Sequence, residues 1–499
     1  MVPAALCLSL GLAVVAGCPS DDTPSGGTIA DTTAADTTAA DTTADETTTN
    51  SETGDTEPAP TEGLFACPAG ESCTFVVVAQ AFDDRVEIFA PRGPGPVYRG
   101  AIDLDLKPNP MGDNSGDFLD EPFGMTVDSA GLSVLVGHYP QRDSGTMLVF
   151  PHELLAAQAP GMTVPQSAFF DGAGFLAPVR AIDLAAEEAI FMLTHPSGRQ
   201  LVGVFANDLF TLETEWTNPG ELLVVDPVSG EVGRRSLASV GMGSCAGAWN
   251  LVALDDAMDT VALACDGDDG AAVLDVSGIG QGSVADAAAA IDGCIADIPF
   301  PDNRVRQLAP DGLGGLLLAE NVPTGTLDPG RLWRFEGLDG ACEQLGAPGV
   351  IPGDLWEVRQ IVPLPSNVGA RWLMATGMLS PGRGVHVVRD GETGAEICAR
   401  VDALDASWAA TDGSDIHPYA MAIDRAGTGL AIGAGPAMPA DAEPGYGRVL
   451  WVELGAGDPC EASPVISVID LAEEAPAVSP DDPSTWRRAP NVVVIKEYG

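Results

Sequence analysis

Eight polar residues share one place in a repeated pattern. Each lies just ahead of, or at the start of, a short apolar run: Glu121, Asn250, Arg304, Arg306, Glu357, Arg359, Asp415 and His417. If those runs are equivalent strands, the eight gather at one end of the structure. Three acids, three arginines, one amide and one histidine nearly balance in charge. That chemistry suits a polar pocket for an anionic or hydroxylated ligand. The plainer reading is that Arg306 and Arg359 tie neighbouring strands together by pairing with carboxylates such as Glu357 and Glu121.

Other chemistry is scarce. His152-Glu153 opens like a zinc-protease helix, but Ala156 stands where the second histidine would be. There is no GxSxG nucleophile elbow, no CxxC and no GxxxxGK[ST] phosphate loop. The histidines His138, His152, His195, His386 and His417 are scattered, which suits solvated or hydrogen-bonded roles better than a metal site. Two acidic loops, GDNSGDFLDE from Gly112 and CDGDDG from Cys265, carry calcium-type ligands without a full EF-hand pattern, so they read as solvated loops.

The elements that position the polar set come from internal repetition. Five segments of equal length align without gaps: FGMTVDSAGLSVLVG, VRAIDLAAEEAIFML, NLVALDDAMDTVALA, VRQLAPDGLGGLLLA and YAMAIDRAGTGLAIG, from Phe123, Val179, Asn250, Val305 and Tyr419. A looser copy begins at Val358. Each reads as an apolar strand, a turn marked by an acid (Asp128, Asp183, Asp255, Asp311, Asp424) and a second strand, a β-hairpin. A third strand follows in seven copies: DRVEIFAP, GTMLVFP, GELLVVDP, GAAVLDV, GRLWRFEG, GRGVHVVRD and GRVLWVELG. Weaker fourth strands include PVYRGAIDL, EVGRRSLASV and SPVISVIDL. Gly 59 and Pro 40 supply the turns, and 45% hydrophobic residues supply a core.

Four short strands every fifty to seventy residues predict an all-β, seven-bladed β-propeller over residues 64–499. The first repeat lacks an inner strand, whereas NVVVIKEYG at the C-terminus lacks a partner. Pairing the two closes the ring and removes open sheet edges. PFGMTVDSAG and HPYAMAIDRAG make the domain resemble propellers with NHL-like or lactonase-like blades. That resemblance implies the fold. It also implies, as an alternative to a purely binding propeller, a metal-assisted hydrolase whose divalent cation, such as calcium, is held in the central channel by oxygens of Glu121, Asn250 and Asp415.

The N-terminus carries a separate message. Residues 4–17, AALCLSLGLAVVAG, are too short to span a bilayer but long enough for a signal-peptide core, although MVPAALC lacks the usual positive charge. Val15-Ala16-Gly17-Cys18 resembles the lipobox of bacterial lipoproteins, which implies cleavage after residue 17 and lipidation of Cys18. Residues 18–63 repeat ADTT and, from Pro19 to Glu62, contain no Lys, Arg or aromatic residue. Such a segment predicts a disordered tether with a span of roughly 35 to 40 Å. The expected location is therefore the bacterial cell envelope, lipid-anchored and either periplasmic or surface-exposed. The expected partners are the membrane through the lipid, and an envelope protein, glycan or small ligand at the propeller, which is expected to be monomeric.

Charge and cysteines agree with export. Seventy-two acids against 23 bases give a net charge of -49, a surface that repels nucleic acid. Beyond Cys7 and Cys18, eight cysteines remain. Cys67 with Cys73 and Cys245 with Cys265 are the two disulfides that spacing supports. Cys294, Cys342, Cys398 and Cys460 stay unassigned, because equivalent positions on successive blades lie beyond the reach of about 7 Å.

Overall fold

The computed structural model describes residues 60–80, 85–92, 96–104, 122–136, 145–171, 174–185, 188–205, 220–245, 247–255, 257–265, 271–296, 305–311, 315–320, 331–336, 343–344, 349–350, 358–364, 371–376, 384–391, 394–401, 416–436, 448–455, 457–461, 464–470 and 490–498. Cys18, Glu121, Arg304, Glu357, Asp415, residues 18–59 of the expected tether and both acidic loops except Cys265 lie outside that set.

The strands form seven sheets, each built on a four-stranded antiparallel meander, and Met162–Val164 adds a parallel strand to the outer edge of blade 1. Their inner strands are Pro490–Tyr498 in blade 1, Pro122–Asp128 in blade 2, Glu188–Thr194 in blade 3 and Ala248–Ala253 in blade 4. Val305–Pro310, Val358–Leu364 and Ile416–Ile423 follow in blades 5, 6 and 7. Each inner strand touches the next in a closed cycle. The chain is a seven-bladed β-propeller.

Closure is as the sequence predicts. Pro490–Tyr498 lies antiparallel to Cys73–Gln80, in register from Cys73 opposite Tyr498 to Gln80 opposite Pro490. Blade 1 therefore takes its inner strand from the C-terminus and its other strands, Cys73–Gln80, Arg85–Ala90 and Val97–Asp103, from the N-terminal side.

The core is divided seven ways, one apolar cluster between each pair of neighbouring blades. The pleat explains this. Successive side chains point to opposite faces of a sheet, and both faces here are covered. In Cys73–Gln80, Val77 and Ala79 join the cluster shared with blade 2, while Val76 and Val78 join the one shared with blade 7. The strands consequently read as unbroken apolar runs.

One repeat is out of phase with its expected role. VRAIDLAAEEAIFML is not a hairpin: Arg180–Asp183 pairs with Thr146–Phe150 as the outer strand of blade 2, and Glu188–Thr194 begins blade 3. An outer strand joined by a short link to the next inner strand has the same apolar–turn–apolar pattern as a true hairpin.

The predicted acidic turns do specific work. In blade 4, Asp255 accepts from the amides of Asp259 and Thr260 at 2.9 and 2.8 Å. Asp424 accepts from the amide and hydroxyl of Thr428, and Asp311 from the amide of Gly315. These are carboxylates closing their own turns.

Disulfides join Cys67 to Cys73 and Cys245 to Cys265, as expected. A further bridge joins Cys398 to Cys460, with Cα atoms 5.1 Å apart. The sequence leaves this pair unassigned because equivalent positions on successive blades lie too far apart, but the two cysteines do not occupy equivalent positions. Cys398 is in the outer strand Gly394–Arg400 of blade 6, whereas Cys460 is in the connection between the last two strands of blade 7. Cys342 and the side chain of Cys294 lie outside the described residues.

Candidate functional site

Every inner strand carries a β-bulge near its N-terminal end, and all seven bulges fall on the same rim of the channel. The extra residues are Asn491, Phe123, Ile190, Trp249, Arg306, Arg359 and Tyr419 in blades 1 to 7. A bulge places two residues opposite one, bends the strand and re-aims the side chains beside it, and such features concentrate at barrel rims and next to binding sites. Here it is repeated around the whole mouth.

The bulges give a common reference for the candidate residues. Arg306 and Arg359 occupy the bulge itself on adjacent blades, and Asn250 is one residue beyond it in blade 4. Glu121, Arg304, Glu357 and His417 each precede a bulge by two positions, whereas Asp415 precedes its bulge by four and is out of step with the ring. Of the eight candidates, the side chains of Asn250 and Arg359 are described. Asn250 is buried and donates from Nδ2 to Gln307 Oε1 at 3.2 Å, tying blade 4 to blade 5. Arg359 is half-buried.

The same frame identifies residues that spacing overlooked. Glu188, two positions before the blade 3 bulge, belongs with Glu121 and Glu357. Misphasing of the Val179 copy hid it. Trp249 and Tyr419 sit at bulge positions but read as ordinary members of apolar runs. With the copies aligned on their bulges, Glu188 shares its offset with Glu121 and Glu357, and Trp249 and Tyr419 share theirs.

Below the bulges, side chains lace the inner strands together. Thr126 Oγ1 and Thr194 Oγ1 are 2.8 Å apart across blades 2 and 3. Gln360 binds the backbone of Met421 twice across blades 6 and 7, donating from Nε2 to the carbonyl at 2.9 Å and accepting the amide at Oε1.

Arginine struts occupy the opposite end, called here the base. Arg92 of blade 1 pairs with the buried Asp424 of blade 7 and lies over Trp451 at 5.5 Å. Arg371 of blade 6 pairs with Asp458 of blade 7 at 3.2 Å. Arg199 of blade 3 donates to the carbonyls of Ile279, Gln281 and Gly282 in blade 4. His195 is used at this end too, with Nδ1 2.8 Å from Ser197 Oγ, and burial lowers its pKa despite the opposing pull of Asp259. His152 is 2.8 Å from the carbonyl of Asp128. Among the described residues, no group of three or more His, Cys, Asp and Glu is placed to hold a metal ion.

The rim can therefore do two things. It presents arginines and aromatic residues on neighbouring blades, the types that dominate binding surfaces. It also carries acids beside bases, since Glu188 stands two positions before the blade 3 bulge as Glu357 stands, in sequence, before Arg359.

No protein-family model matches the chain. No curated protein matches it either. Solved structures do. A propeller from Bacteroides fragilis described as a candidate 6-phosphogluconolactonase has a TM-score of 0.50 at 9% identity, over 86% of this chain and 99% of its own. AztD from Citrobacter koseri in its apo form has a TM-score of 0.38 at 10% identity, over 86% of this chain and 99% of its own. At these identities the likeness to the Bacteroides protein establishes the fold and nothing further.

Proposed function

We propose that this protein is a lipid-anchored component of the bacterial envelope whose propeller binds a ligand at the bulged rim. The observation that carries this reading is the ring of seven bulges, which brings Trp249, Arg306, Arg359 and Tyr419 to one rim on four successive blades. In a chain with 23 basic residues against 72 acids, two adjacent arginines at a channel mouth favour an anionic or hydroxylated small ligand or glycan. The anchor is the lipid on Cys18, carried by the tether of residues 19–59.

The fold likeness to a candidate lactonase supports a second reading, a metal-assisted hydrolase using Glu121, Asn250 and Asp415. Asp415 is out of step with the ring, so these three residues make a poorer set than a plain binding rim needs.

A thermal-shift screen of the purified domain against calcium, sugars, lactones and peptidoglycan fragments, with metal analysis of the same sample, separates the two. The binding reading expects a raised melting temperature with an anionic or hydroxylated ligand and no stoichiometric metal. Lactone hydrolysis with a stoichiometric divalent ion that disappears in Glu121→Gln would replace it with the hydrolase.

A further inference from the structure

The bridge between Cys398 and Cys460 is built from two parts that a propeller can repeat. One is a cysteine in the outer strand of a blade, here Gly394–Arg400 of blade 6. The other is a cysteine in the connection from the third to the fourth strand of the next blade, here between Arg448–Glu453 and Val465–Asp470 of blade 7. The bridge pins the outer parts of the two blades together. Their inner strands are already tied by Gln360, which binds the backbone of Met421.

Blades 4 and 5 carry both parts in corresponding places. Cys294 stands in the outer strand Asp292–Ala296 of blade 4, in register opposite Val273 of the third strand. Val273 corresponds to Val387 of blade 6, because each pairs with the third residue of a six-residue second strand, Ala262 in Thr260–Cys265 and Leu373 in Arg371–Thr376. Opposite Val387 is Ala399, and Cys398 is the bulge residue beside it. The two valines also face the same way around the ring: Val273 is buried in the cluster shared with blade 5, and Val387 in the cluster shared with blade 7. Positions directly opposite in an antiparallel pair lie on one face of the sheet, so the register places residue 294 on the face of blade 4 that meets blade 5.

The second part is in blade 5. Its third strand, Arg331–Glu336, matches Arg448–Glu453 of blade 7 in length and in both terminal residues. The next cysteine follows six residues later as Cys342 in blade 5 and seven residues later as Cys460 in blade 7, each with glutamate after it. In blade 5 that glutamate, Glu343, opens the outer strand Glu343–Gln344, so Cys342 belongs to the connection from the third strand to the fourth. Here too the inner strands are tied by a side-chain amide, Asn250 to Gln307.

We infer that Cys294 and Cys342 form a disulfide that staples blade 4 to blade 5, the counterpart of the staple between blades 6 and 7. Six of the eight cysteines beyond Cys7 and Cys18 are already paired, which leaves these two for each other. Each thiol gives up one proton and one electron as the S–S bond forms. The disulfide of a glutathione-type or oxidoreductase oxidant takes up both electrons and both protons and becomes two thiols. Blades 5 and 6, which bear Arg306 and Arg359 at their bulges, then lie between the two staples. The staple does not depend on the lipid anchor or on the ligand of the rim.

The test is a disulfide map of the chain recovered from a bacterial host, equilibrated in a glutathione redox buffer, blocked with N-ethylmaleimide and digested without reduction. Cleavage before aspartates releases Cys294 in residues 292–296 and Cys342 in residues 339–353, apart from every other cysteine. The expected product is these two peptides joined, with maleimide on neither. Maleimide on both, or either peptide joined to another cysteine or to a second chain, overturns the staple. The variant Cys294→Ser decides the same question from the other side. It should expose one new thiol, found as a maleimide or glutathione adduct on Cys342; an adduct on a different cysteine, or an unmodified pattern, overturns the pairing.

Discussion

Tyr498 and Phe65 meet edge to face with ring centroids 6.5 Å apart, and both rings pack on Phe75, at 6.0 and 5.3 Å. Residues from the two ends of the folded chain are thereby joined over the strand that pairs with the C-terminus. The segment Pro60–Ser72, with Leu64 and Phe65 buried, thereby covers the seam at which the ring closes.

Tyr498→Ala should cost about 3 to 5 kcal/mol, the usual loss for truncating a buried aromatic ring. Deleting residues 490–499 should cost more, because it uncovers the edge of Cys73–Gln80 and the apolar side chains on both its faces. Deleting residues 19–59 should change the melting temperature little. Equal melting of the domain with and without residues 490–499 would show that closure contributes nothing.

Two acidic turn residues of the same origin should differ in cost. Asp424 is 1% exposed and serves Thr428 twice and Arg92 once, whereas Asp255 is exposed and closes only its own turn. Replacing Asp424 with Ala removes a buried acceptor shared by two residues and should cost about 2 kcal/mol; Asp255→Ala should cost about 1 kcal/mol. Denaturant midpoints measure both. Similar values would mean that the link from Asp424 to Arg92, across the seam between blades 7 and 1, adds nothing.

Acid should weaken the fold in part through turn carboxylates. The hydroxyl and amide of Ser277 hold Asp275 below its ordinary pKa. Burial raises the pKa of Asp226, but the amides of Ser229 and Val228 outweigh it and leave the group lowered. A depressed folded pKa gives stability that is present above the unfolded pKa and is lost as pH falls through the folded one. Melting temperature should thus decline from about pH 5 downward, and Asp275→Asn should flatten the decline without changing its direction. An unaltered pH profile in that variant would remove Asp275 from the account.

Much of this architecture is legible in the sequence because each blade repeats its turn chemistry. Glycine precedes most third strands, an acid marks most first turns, and the unpaired NVVVIKEYG points to closure. The features that the sequence concealed have physical causes. Asp183 and Glu188 bracket a link short enough to imitate a hairpin turn, so local pattern could not tell an inner strand from an outer one. Cys398 and Cys460 meet because a connection in blade 7 reaches toward blade 6, a tertiary fact without a local signature. The bulges are equally silent, because an extra residue such as Trp249 or Ile190 merely lengthens an apolar run.

Arginines at the two ends of the channel should respond differently to mutation. At the base, Arg371 is 9% exposed and paired with Asp458, and Arg92 and Arg199 also bridge blades, so the struts that a ring needs are supplied there. Arg371→Ala should therefore lower the melting temperature, since it removes a buried guanidinium that ties blade 6 to blade 7. At the rim, Arg306 occupies a bulge beside Gln307, and Gln307 already ties blade 5 to Asn250 of blade 4. Arg306→Gln should thus change stability by no more than about 0.5 kcal/mol. It should also weaken whichever anionic ligand the thermal-shift screen finds, most strongly at low salt, where the lost charge matters most. Thermal melts of the two variants, followed by titration of that ligand at two salt concentrations, give the answer. If Arg306→Gln melts as low as Arg371→Ala and binds the ligand as well as the parent, the rim arginines are struts like those at the base.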